Sequence, residues 1–236
     1  MRIVSWNCNG ALRKKLDPLL KLDADIYIVQ ECEDPSQCKD LHYAAWAENY
    51  HWIGKSKHKG LGVFCRKDIL LTPLAWEAYD LESFLPCKIN DTMTLLAVWT
   101  RQANSPTFGY IGQLWKYLQM HKAKLPASQA VLCGDLNSNA CWDVWDRWWN
   151  HSDVVKELKQ VGIESLYHLQ TGEQQGKESQ PTFCMYRKED RTYHIDYAFL
   201  SKDLISSAEL SIGKSEDWVE FSDHMPVIFT IGNEGI

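Results

Sequence analysis

The segment at residues 131–137, VLCGDLN, passes from apolar side chains through Gly134 into a polar end, and it constrains the fold more than any other feature. An apolar run that ends in glycine is typical of a buried strand that reaches the edge of a sheet. If the backbone stays extended past Gly134, Asp135 and Asn137 project to the same side, because side chains alternate along a strand. The segment therefore predicts a spot where a carboxylate lies beside an amide that can donate and accept hydrogen bonds.

Three other apolar segments also end in polar side chains. These ends are Asn7 and Asn9 after residues 2–6, Gln30 and Glu31 after residues 26–29, and Ser222, Asp223 and His224 before residues 226–231. A further strand-like stretch at residues 194–197 carries His194 and Asp196. One polar strand end says little, but their recurrence predicts a site built from several strand ends.

The composition is compatible with a single large α/β domain spanning residues 1–236. Hydrophobic residues make up 45% and charged residues 24% of the chain, which is ordinary for a globular protein with a substantial core. The formal net charge of −6 argues against a strongly electrostatic nucleic-acid binder, which usually carries a basic face. It does not exclude a nuclease, because a metal site concentrates carboxylates while local basic loops can still hold phosphates.

The eight cysteines show no C-x-x-C spacing, and several lie in apolar segments, where a free thiol behaves as a small hydrophobe. Reduced, buried thiols are typical of a cytoplasmic protein, which is the location we expect. Because a strand-like run begins at residue 2, we expect no signal peptide. No apolar run approaches the roughly 20 residues of a membrane-spanning helix, so we expect no membrane partner.

Strand-like and helix-like segments are interleaved along the chain. Strand-like runs cover residues 2–6, 25–30, 61–66, 93–100, 129–134, 182–187, 195–200 and 226–231. Helix-like patterns cover residues 110–123 and 153–161, and Asp17 before Pro18 predicts a helix start with Asp17 as N-cap. The mixture of hairpin and crossover connections predicts mixed sheets covered by helices.

Glu31 is the best candidate for a metal ligand, because it is the sole carboxylate at the end of an apolar strand, where an unpaired charge is costly. Mg²⁺ takes oxygen ligands and is usually held by one or two carboxylates plus substrate phosphate. Glu31 with Asn7, and with Asp223 as a third candidate, fits that sparse pattern. The alternative is a strand-end glutamate in solvent or in a salt bridge.

His224 needs a partner for its second ring nitrogen if it acts on phosphate, and Asp196 is the candidate partner. Alternation along the strand would place Ile195 and Tyr197 on one face and leave His194 with Asp196 on the other. A lone histidine is more often structural, but a carboxylate on a neighbouring strand favours a catalytic pair.

Asp135 has two candidate roles, as general base for an attacking water or as anchor for a second metal ion. A turn-forming aspartate after Gly134 is the alternative. That alternative accounts for the Gly-Asp pair but not for the asparagine two residues later.

Five motifs taken together resemble the endonuclease/exonuclease/phosphatase superfamily, which includes exonuclease III, the abasic-site (AP) endonucleases and DNase I. They are W-N-C-N-G at 6–10, Q-E at 30–31, G-D-L-N at 134–137, I-D-Y at 195–197 and S-D-H at 222–224. The resemblance implies a four-layer α/β sandwich, in which two mixed β-sheets pack face to face and are flanked by helices (DNase I-like). It also implies phosphoester hydrolysis with Mg²⁺, or with Mn²⁺ in its place, and leaves the substrate branch open.

The resemblance implies a role for each motif residue. The implied ligands of the metal ion or its waters are Glu31 and Asn7, with Asp223 near a second metal position. Asp135 would activate the attacking water, and Asn137 would hold that water and the phosphate. His224, oriented by Asp196, would contact the phosphate and stabilise the transition state.

Two departures from the abasic-site branch bear on the substrate. Cys32 and Glu33 follow the Gln-Glu pair where that branch has Thr-Lys, so an anion replaces a cation. Trp99 ends a central strand where that branch has tyrosine, and Gln102 follows three residues later. The tyrosine hydroxyl is therefore missing, while the amide that contacts substrate is retained at Gln102.

Basic and aromatic residues outside the motifs are further substrate candidates. Lys55, Lys57 and Lys59 form the densest basic loop, which could hold a nucleic-acid backbone or be only a solvated hairpin turn. A second basic patch holds Arg187, Lys188 and Arg191. The substrate-facing set is completed by Asn9, Trp99, Gln102, His194 and Trp148.

The segment at residues 142–149 is rich in tryptophan. In a helix, Trp142, Trp145 and Trp149 would share one face, which favours core packing. Trp148, beside Arg147, would lie off that face, and a tryptophan that stacks on a base contributes about 1–3 kcal/mol.

We predict a divalent-metal-dependent nuclease that cleaves phosphodiester bonds in DNA with an activated water. One alternative is a phosphomonoesterase for a small phosphorylated molecule, which a closed pocket would favour. Another is a non-catalytic binding module, which the presence of Glu31, Asp135 and His224 disfavours. The expected partner is nucleic acid, with DNA preferred, and the expected state is a monomer.

Overall fold

The strands of the protein form two six-stranded sheets and a short two-stranded ribbon. A computed structural model describes residues 1–103, 105–125, 129–188 and 190–232. The strands are β1 Arg2–Asn7, β2 Ile26–Cys32, β3 Tyr50–Ser56, β4 Lys59–Cys65, β5 Leu71–Pro73, β6 Phe84–Ile89, β7 Met93–Trp99, β8 Ala130–Asp135, β9 Ile163–Ser165, β10 Phe183–Cys184, β11 Thr192–Tyr193, β12 Asp196–Ser201, β13 Ala208–Ile212 and β14 Val227–Ile231. The first sheet has the order β13-β14-β1-β2-β4-β3, the second has the order β5-β6-β7-β8-β12-β9, and β10 pairs with β11.

Helices cover the outer faces of both sheets. The α-helices are α1 Leu16–Leu20, α2 Leu41–Trp46, α3 Ile111–His121, α4 His151–Gln160, α5 Leu166–Thr171, α6 Lys202–Ile205 and α7 Ser215–Trp218. Helices α1 and α2 pack on the first sheet, through buried side chains such as Leu19 and Tyr43. Helices α3 and α4 pack on the second, through Leu114 and Leu158. The predicted four-layer α/β sandwich with two mixed sheets is confirmed.

The main core lies between the two sheets. Alternate residues of each strand point into it, among them Ile3, Ile28, Leu95, Val131 and Phe229. The intervening residues point outward to the helices, because side chains of a strand alternate between its two faces. This alternation sets the direction of the polar side chains that end the same strands.

The polar strand ends meet because β1 pairs with β2 in parallel, as β7 does with β8. Asn7 is the register partner of Gln30, and Asp135 is the partner of both Trp99 and Asp196. These positions continue the strand face that lines the inter-sheet core. The polar residues therefore gather at one end of the core, which is the site that their recurrence predicts.

Gly134 allows β8 to approach β7 closely. Its φ is +149°, and a Cβ atom there would lie 1.8 Å from the carbonyl oxygen of Val98. No side chain fits at that distance, so the glycine before Asp135 is required by packing as well as by backbone conformation.

Two local predictions were wrong. Helix α1 begins at Leu16 with Lys15 as N-cap, and Asp17 and Pro18 lie in its first turn, where proline removes no needed donor. The predicted strand at 182–187 contains only β10, because residues Met185–Arg187 turn into a 3₁₀ segment. Tyr186 there has a φ of +57°, which ends the extended backbone.

All eight cysteine thiols are free, as predicted, but Cys38 is only half-buried and Cys141 is exposed. Among the described residues, no helix combines the length and the apolar character that crossing a membrane requires.

Candidate active site

Asp135, at the end of β8, is fully buried, and its carboxylate accepts three hydrogen bonds. Asn7 Nδ2 donates to Oδ2 at 2.8 Å, Asn137 N donates to Oδ1 at 2.8 Å, and Asn137 Nδ2 donates to Oδ2 at 2.9 Å. The backbone bond closes a turn with a φ of +43° at Asn137, so the strand does not stay extended here. Asp135 therefore forms the turn that was the alternative interpretation, and its carboxylate also lies beside the Asn137 amide, as predicted.

His224 lies beside Asp196, as predicted. Its Nδ1 lies 2.9 Å from Asp196 Oδ2, and both side chains are buried. Trp6 Nε1 donates to the His224 carbonyl at 2.9 Å, and the His224 amide donates to Ser222 Oγ at 3.0 Å. The ring therefore sits on a fixed backbone, with Nδ1 bound to the carboxylate and Nε2 available for other contacts.

Burial and neighbouring charge perturb the titration of this group. One ligand atom each of Asp135, Asp196 and His224 lies within 4.8 Å of the others. Burial raises the pKa of Asp135 to about 7, and the nearby charge of Asp196 adds to the shift. Burial alone would lower the pKa of His224, but the carboxylates of Asp196 and Asp135 outweigh it and raise that pKa to about 9. A carboxyl group that titrates near neutral pH is suited to accept a proton.

Glu31 lies in a bulge of β2. Gln30 pairs with Leu61 and Cys32 pairs with Gly60, so Glu31 has no register partner, and its φ is +62°. A bulge re-aims the extra side chain out of the alternating pattern. Its carboxylate forms an ion pair with Lys59 Nζ, which is the salt-bridge alternative that the sequence left open.

The residues present fit a divalent cation that prefers oxygen ligands. The Asp196 Oδ1 atom is buried and has no hydrogen-bond partner among the described residues. Carboxylates of Glu31 and Asp135 and the side-chain oxygen of Asn7 supply the donor chemistry that Mg²⁺ and Mn²⁺ favour. His224 is a poor ligand in comparison, because its raised pKa keeps the ring protonated.

Two residues that the sequence patterns did not indicate bind Asn137 and the backbone that precedes Asp196. The Thr100 carbonyl accepts from Asn137 Nδ2 at 2.9 Å. Asn139 Nδ2 lies 2.9 Å from the carbonyl of His194, two residues before Asp196. The only hint in the sequence was their proximity to recognised motifs.

Asn139 is in turn held by a carboxylate from the loop at residues 172–180. Glu178 Oε2 accepts from Asn139 Nδ2 at 2.9 Å, and Glu178 Oε1 lies 3.0 Å from His168 Nε2. Burial alone would raise the pKa of Glu178, but hydrogen bonds from His168 and Asn139 outweigh it and lower that pKa to about 2. The polar loop is thereby fastened behind the site by a buried ionised group.

The contacts of His194 are with residues other than Asp135, Asp196 and His224, and its predicted substrate contact stays a prediction. The ring is buried, Nδ1 lies 2.8 Å from the Gln180 carbonyl, and the ring packs against Tyr167 and Tyr197. Strand β12 begins only at Asp196, so the alternation assumed for residues 194–197 does not extend back to His194.

The other predicted substrate residues differ in their exposure and in their contacts near Asp135, Asp196 and His224. Trp99 is only 6% exposed and adjoins Asp135 in register, whereas Gln102 is exposed and donates to the Ser105 carbonyl at 3.1 Å. Asn9 is exposed, and its amide donates to Asn7 Oδ1 at 3.0 Å. Lys57 is exposed in a groove that it shares with Glu33. Among the described residues, no hydrogen bond or ion pair joins Gln102 or Lys57 to Asp135, Asp196 or His224.

Asp223 is half-buried next to His224, outside the group of three ligand atoms described above. Its backbone carbonyl accepts from the Cys184 amide at 2.7 Å, which ties it to β10. A metal-binding role for Asp223 remains a prediction.

The tryptophan-rich segment is not a helix, which corrects the predicted stripe. A 3₁₀ turn at Ala140–Trp142 is followed by a loop in which Asn150 Oδ1 accepts from the Val144 amide at 3.0 Å. Such side-chain bonds to the backbone compete with helix formation. Trp145 is 95% exposed and Trp148 is 63% exposed, so the predicted exposure of Trp148 is confirmed while core packing of Trp145 is wrong.

Comparisons with solved structures find the same fold in other proteins. The structure resembles a 3'-5' exonuclease (NExo) from Neisseria meningitidis, with a TM-score of 0.70, 17% identity and coverage of 98% of this chain and 99% of the other. It resembles an AP endonuclease from Archaeoglobus fulgidus, with a TM-score of 0.69, 17% identity and coverage of 98% and 99%. It also resembles a Neisseria 3' phosphatase NExo bound to product DNA hairpin, with a TM-score of 0.68, 16% identity and coverage of 98% and 99%.

Among curated proteins, none matches this sequence significantly. The sequence profile described as Endonuclease/Exonuclease/phosphatase family matches residues 4–224, which include every motif of the site. The chain therefore belongs to the endonuclease/exonuclease/phosphatase family, whose members are hydrolases of phosphoester bonds.

Proposed function

We propose that this protein is a divalent-metal-dependent nuclease that hydrolyses phosphodiester bonds in DNA with an activated water. The observation that carries the proposal is the buried group of Asp135, Asp196 and His224 at one end of the inter-sheet core. It combines a carboxylate that titrates near neutral pH with a histidine held in its charged form.

In this proposal Asp135 is the general base. It takes a proton from water as the water oxygen bonds to phosphorus, and the bond from phosphorus to the leaving oxygen then breaks. The pKa of about 7 places the carboxyl group close to the pH at which general bases work best. Asn137, held by Asp135 and by the Thr100 carbonyl, positions the water and the phosphate.

His224 stabilises the negative charge that accumulates on the phosphate oxygens. Because Asp196 binds its Nδ1, the opposite ring nitrogen can donate to a phosphate oxygen. A charged donor that is already oriented requires no reorganisation when the reaction occurs. Asp196 acts through His224, so it is a positioning residue.

Glu31 and Asn7 would hold the metal ion, with Mg²⁺ the expected ion and Mn²⁺ an alternative. Asp223 would support a second position. When bound, the ion neutralises charge on the phosphate and on the leaving oxygen. Lys59, which pairs with Glu31, must then give up or share that carboxylate.

A DNA substrate is supported by the relatives that share the fold, one of which is described as bound to product DNA hairpin. Basic side chains next to the centre also favour a polymer over a small phosphomonoester. The cleft beside Trp99, lined by Lys55 and Arg101, is open and basic on one side of the centre. We also expect a cytoplasmic monomer formed by the whole chain as one domain.

The test is metal-dependent hydrolysis of a substrate panel containing intact duplex DNA, abasic duplex, single-stranded DNA, RNA and a phosphomonoester. Cleavage of DNA that EDTA abolishes, and that Asp135→Asn reduces by about 10²-fold or more, is the expected result. The matched control is Asp146→Asn, since Asp146 is exposed on the loop that follows the same motif. Turnover of the phosphomonoester alone, or full activity of Asp135→Asn, would contradict the proposal.

A further inference from the structure

A cleft of about 270 Å³ opens beside the candidate active site, and we refer to it as the Trp99 cleft. The side chains of Lys55 and Lys59, from the β3–β4 hairpin, line one wall, while Trp99 and Arg101 line the other. Trp99 on β7 is the register partner of Asp135 on β8, so one of the residues that line the cleft lies directly beside the proposed general base. A substrate strand that leaves the centre on this side would pass through it.

The charges of the Trp99 cleft are arranged around one carboxylate. Glu82, whose side chain is only 10% exposed, forms ion pairs with both Lys55 and Arg101. Lys59 is paired with Glu31, so the three cations Lys55, Lys59 and Arg101 face two carboxylates, which leaves a local net charge of +1 in a protein whose overall charge is −6. A concentrated positive patch on an acidic protein points to an anionic ligand.

Arg101 and Lys55 each keep N–H donors that could bind an anionic ligand. The guanidinium of Arg101 lies 5.0 Å from the ring centroid of Trp99, a cation–π contact that fixes its plane. One of its terminal nitrogens binds Glu82, while the side chain as a whole is 33% exposed to the cleft; its Nε is buried and has no hydrogen-bond partner among the described residues. Lys55 is 60% exposed and has three N–H donors, of which Glu82 takes one. Glu82 thus orients two cations without consuming their capacity to bind phosphate.

We propose that the Trp99 cleft is a phosphate subsite, in which Arg101 and Lys55 bind the phosphate of the nucleotide next to the bond that is hydrolysed. The inference rests on the proposed nuclease function. Base stacking does not account for the cleft, because the Trp99 ring is almost fully buried by its core contacts and by Arg101. Recognition here is therefore of the backbone and independent of base sequence.

The first experiment measures the salt dependence of DNA binding by Arg101→Gln and Lys55→Gln, each in the Asp135→Asn background to prevent turnover. Each variant should weaken binding and reduce the slope of log K against log salt, by at most about 0.9, which is the full contribution of one phosphate contact to duplex DNA. The matched control is Lys67→Gln, because Lys67 is also exposed and paired with a glutamate, Glu48, but lies in a different groove.

The second experiment locates the contact with DNA in which single phosphates are replaced by neutral methylphosphonates. Neutralising the phosphate beside the scissile bond should weaken binding by the protein with both cations intact, and should have a clearly smaller effect in Arg101→Gln, where only Lys55 still binds that phosphate. In turnover, Arg101→Gln should raise KM several-fold with kcat almost unchanged, since the contact does not involve the reacting atoms.

Folding is controlled by making the substitutions singly, so that Glu82 always keeps one cationic partner, and by comparing thermal melting. Arg101→Lys is a second variant that keeps the charge, and it should retain the salt slope. If DNA is cleaved but the salt slopes and the methylphosphonate pattern are unchanged, the subsite is refuted while the nuclease function stands. If no nucleic acid is bound or cleaved, both proposals are refuted.

Discussion

Gly134→Ala is the substitution whose effect the structure predicts most sharply. A Cβ atom at this position would lie 1.8 Å from the Val98 carbonyl oxygen, whereas real Cβ contacts essentially never fall below 3.0 Å. The strands β7 and β8 must therefore separate by more than an ångström at this point. Gly162→Ala is the matched control, because Gly162 also has a positive φ, of +78°, but no atom of the described residues lies within 4 Å of its added Cβ.

The expected losses of stability differ for this reason. Gly162→Ala bears only the cost of a left-handed backbone, about 1–2 kcal/mol. Gly134→Ala bears backbone strain of about 1–3 kcal/mol and overpacking of a further 1–3 kcal/mol or more. Their sum is a large fraction of the roughly 5–15 kcal/mol by which a domain is stable. Urea denaturation followed by tryptophan fluorescence measures both free energies of unfolding.

Activity should separate the two variants further. Because Asp135 follows Gly134 directly, a shift of the strand displaces the proposed base, and a misplacement of about 1 Å costs roughly 10²-fold in rate. Gly162→Ala should keep its activity, assayed at a temperature where both variants are folded. Equal losses of stability in the two variants, or near-normal hydrolysis by Gly134→Ala, would refute the close approach of β8 to β7.

Three further predictions concern titratable groups. Asp196→Asn removes the main charge that raises the pKa of His224, so the pKa of His224, measured by NMR, should fall. The same substitution should lower kcat by about 10²–10⁴-fold, and an unchanged kcat would show that Asp196 does not act through His224. Because the base must be ionised and its pKa is raised to about 7, the rate should rise with pH through that value, and a profile that is flat there would exclude Asp135 as the base. Since the folded pKa of Glu178 is lowered to about 2, its contribution to stability is present above its ordinary value of 4.5 and is lost as pH falls towards 2. Unfolding by urea at several pH values should show that Glu178→Gln is most destabilising near neutral pH and that its difference from the wild type shrinks in acid; a constant difference would rule out the lowered pKa of Glu178.

The layered fold and the membership of the candidate site were predictable from the sequence. Apolar runs mark buried strands through local composition, and polar residues immediately after such runs mark the ends of those strands. Asn7, Asp135 and Asp196 continue the face that lines the core, so strand alternation alone indicates that they converge. The order of the polar strand ends along the chain is that of the family motifs, and the family profile matches residues 4–224, which contain all of them.

Predictions of local structure were wrong where side chains form hydrogen bonds with the backbone. His194 was assigned to the site because alternation was extended past the first residue of β12, but the chain bends before Asp196, and the buried ring contacts the Gln180 carbonyl. The segment at residues 142–149 has helical spacing of tryptophans, yet Asn150 binds the loop and holds it out of a helix. Periodicity cannot reveal either outcome, because each depends on a specific hydrogen bond.

Only the tertiary structure decided how the site residues are paired. The Asp196–His224 contact joins residues 28 apart in sequence, and the Asn7–Asp135 contact joins residues 128 apart. The pairing of Glu31 with Lys59 and the support of Asn139 by Glu178 likewise depend on which loops lie side by side. The sequence determined which side chains reach the end of the core, because strand patterns are local. Burial and distance then set their partners and their pKa values, and both exist only once the two sheets have packed.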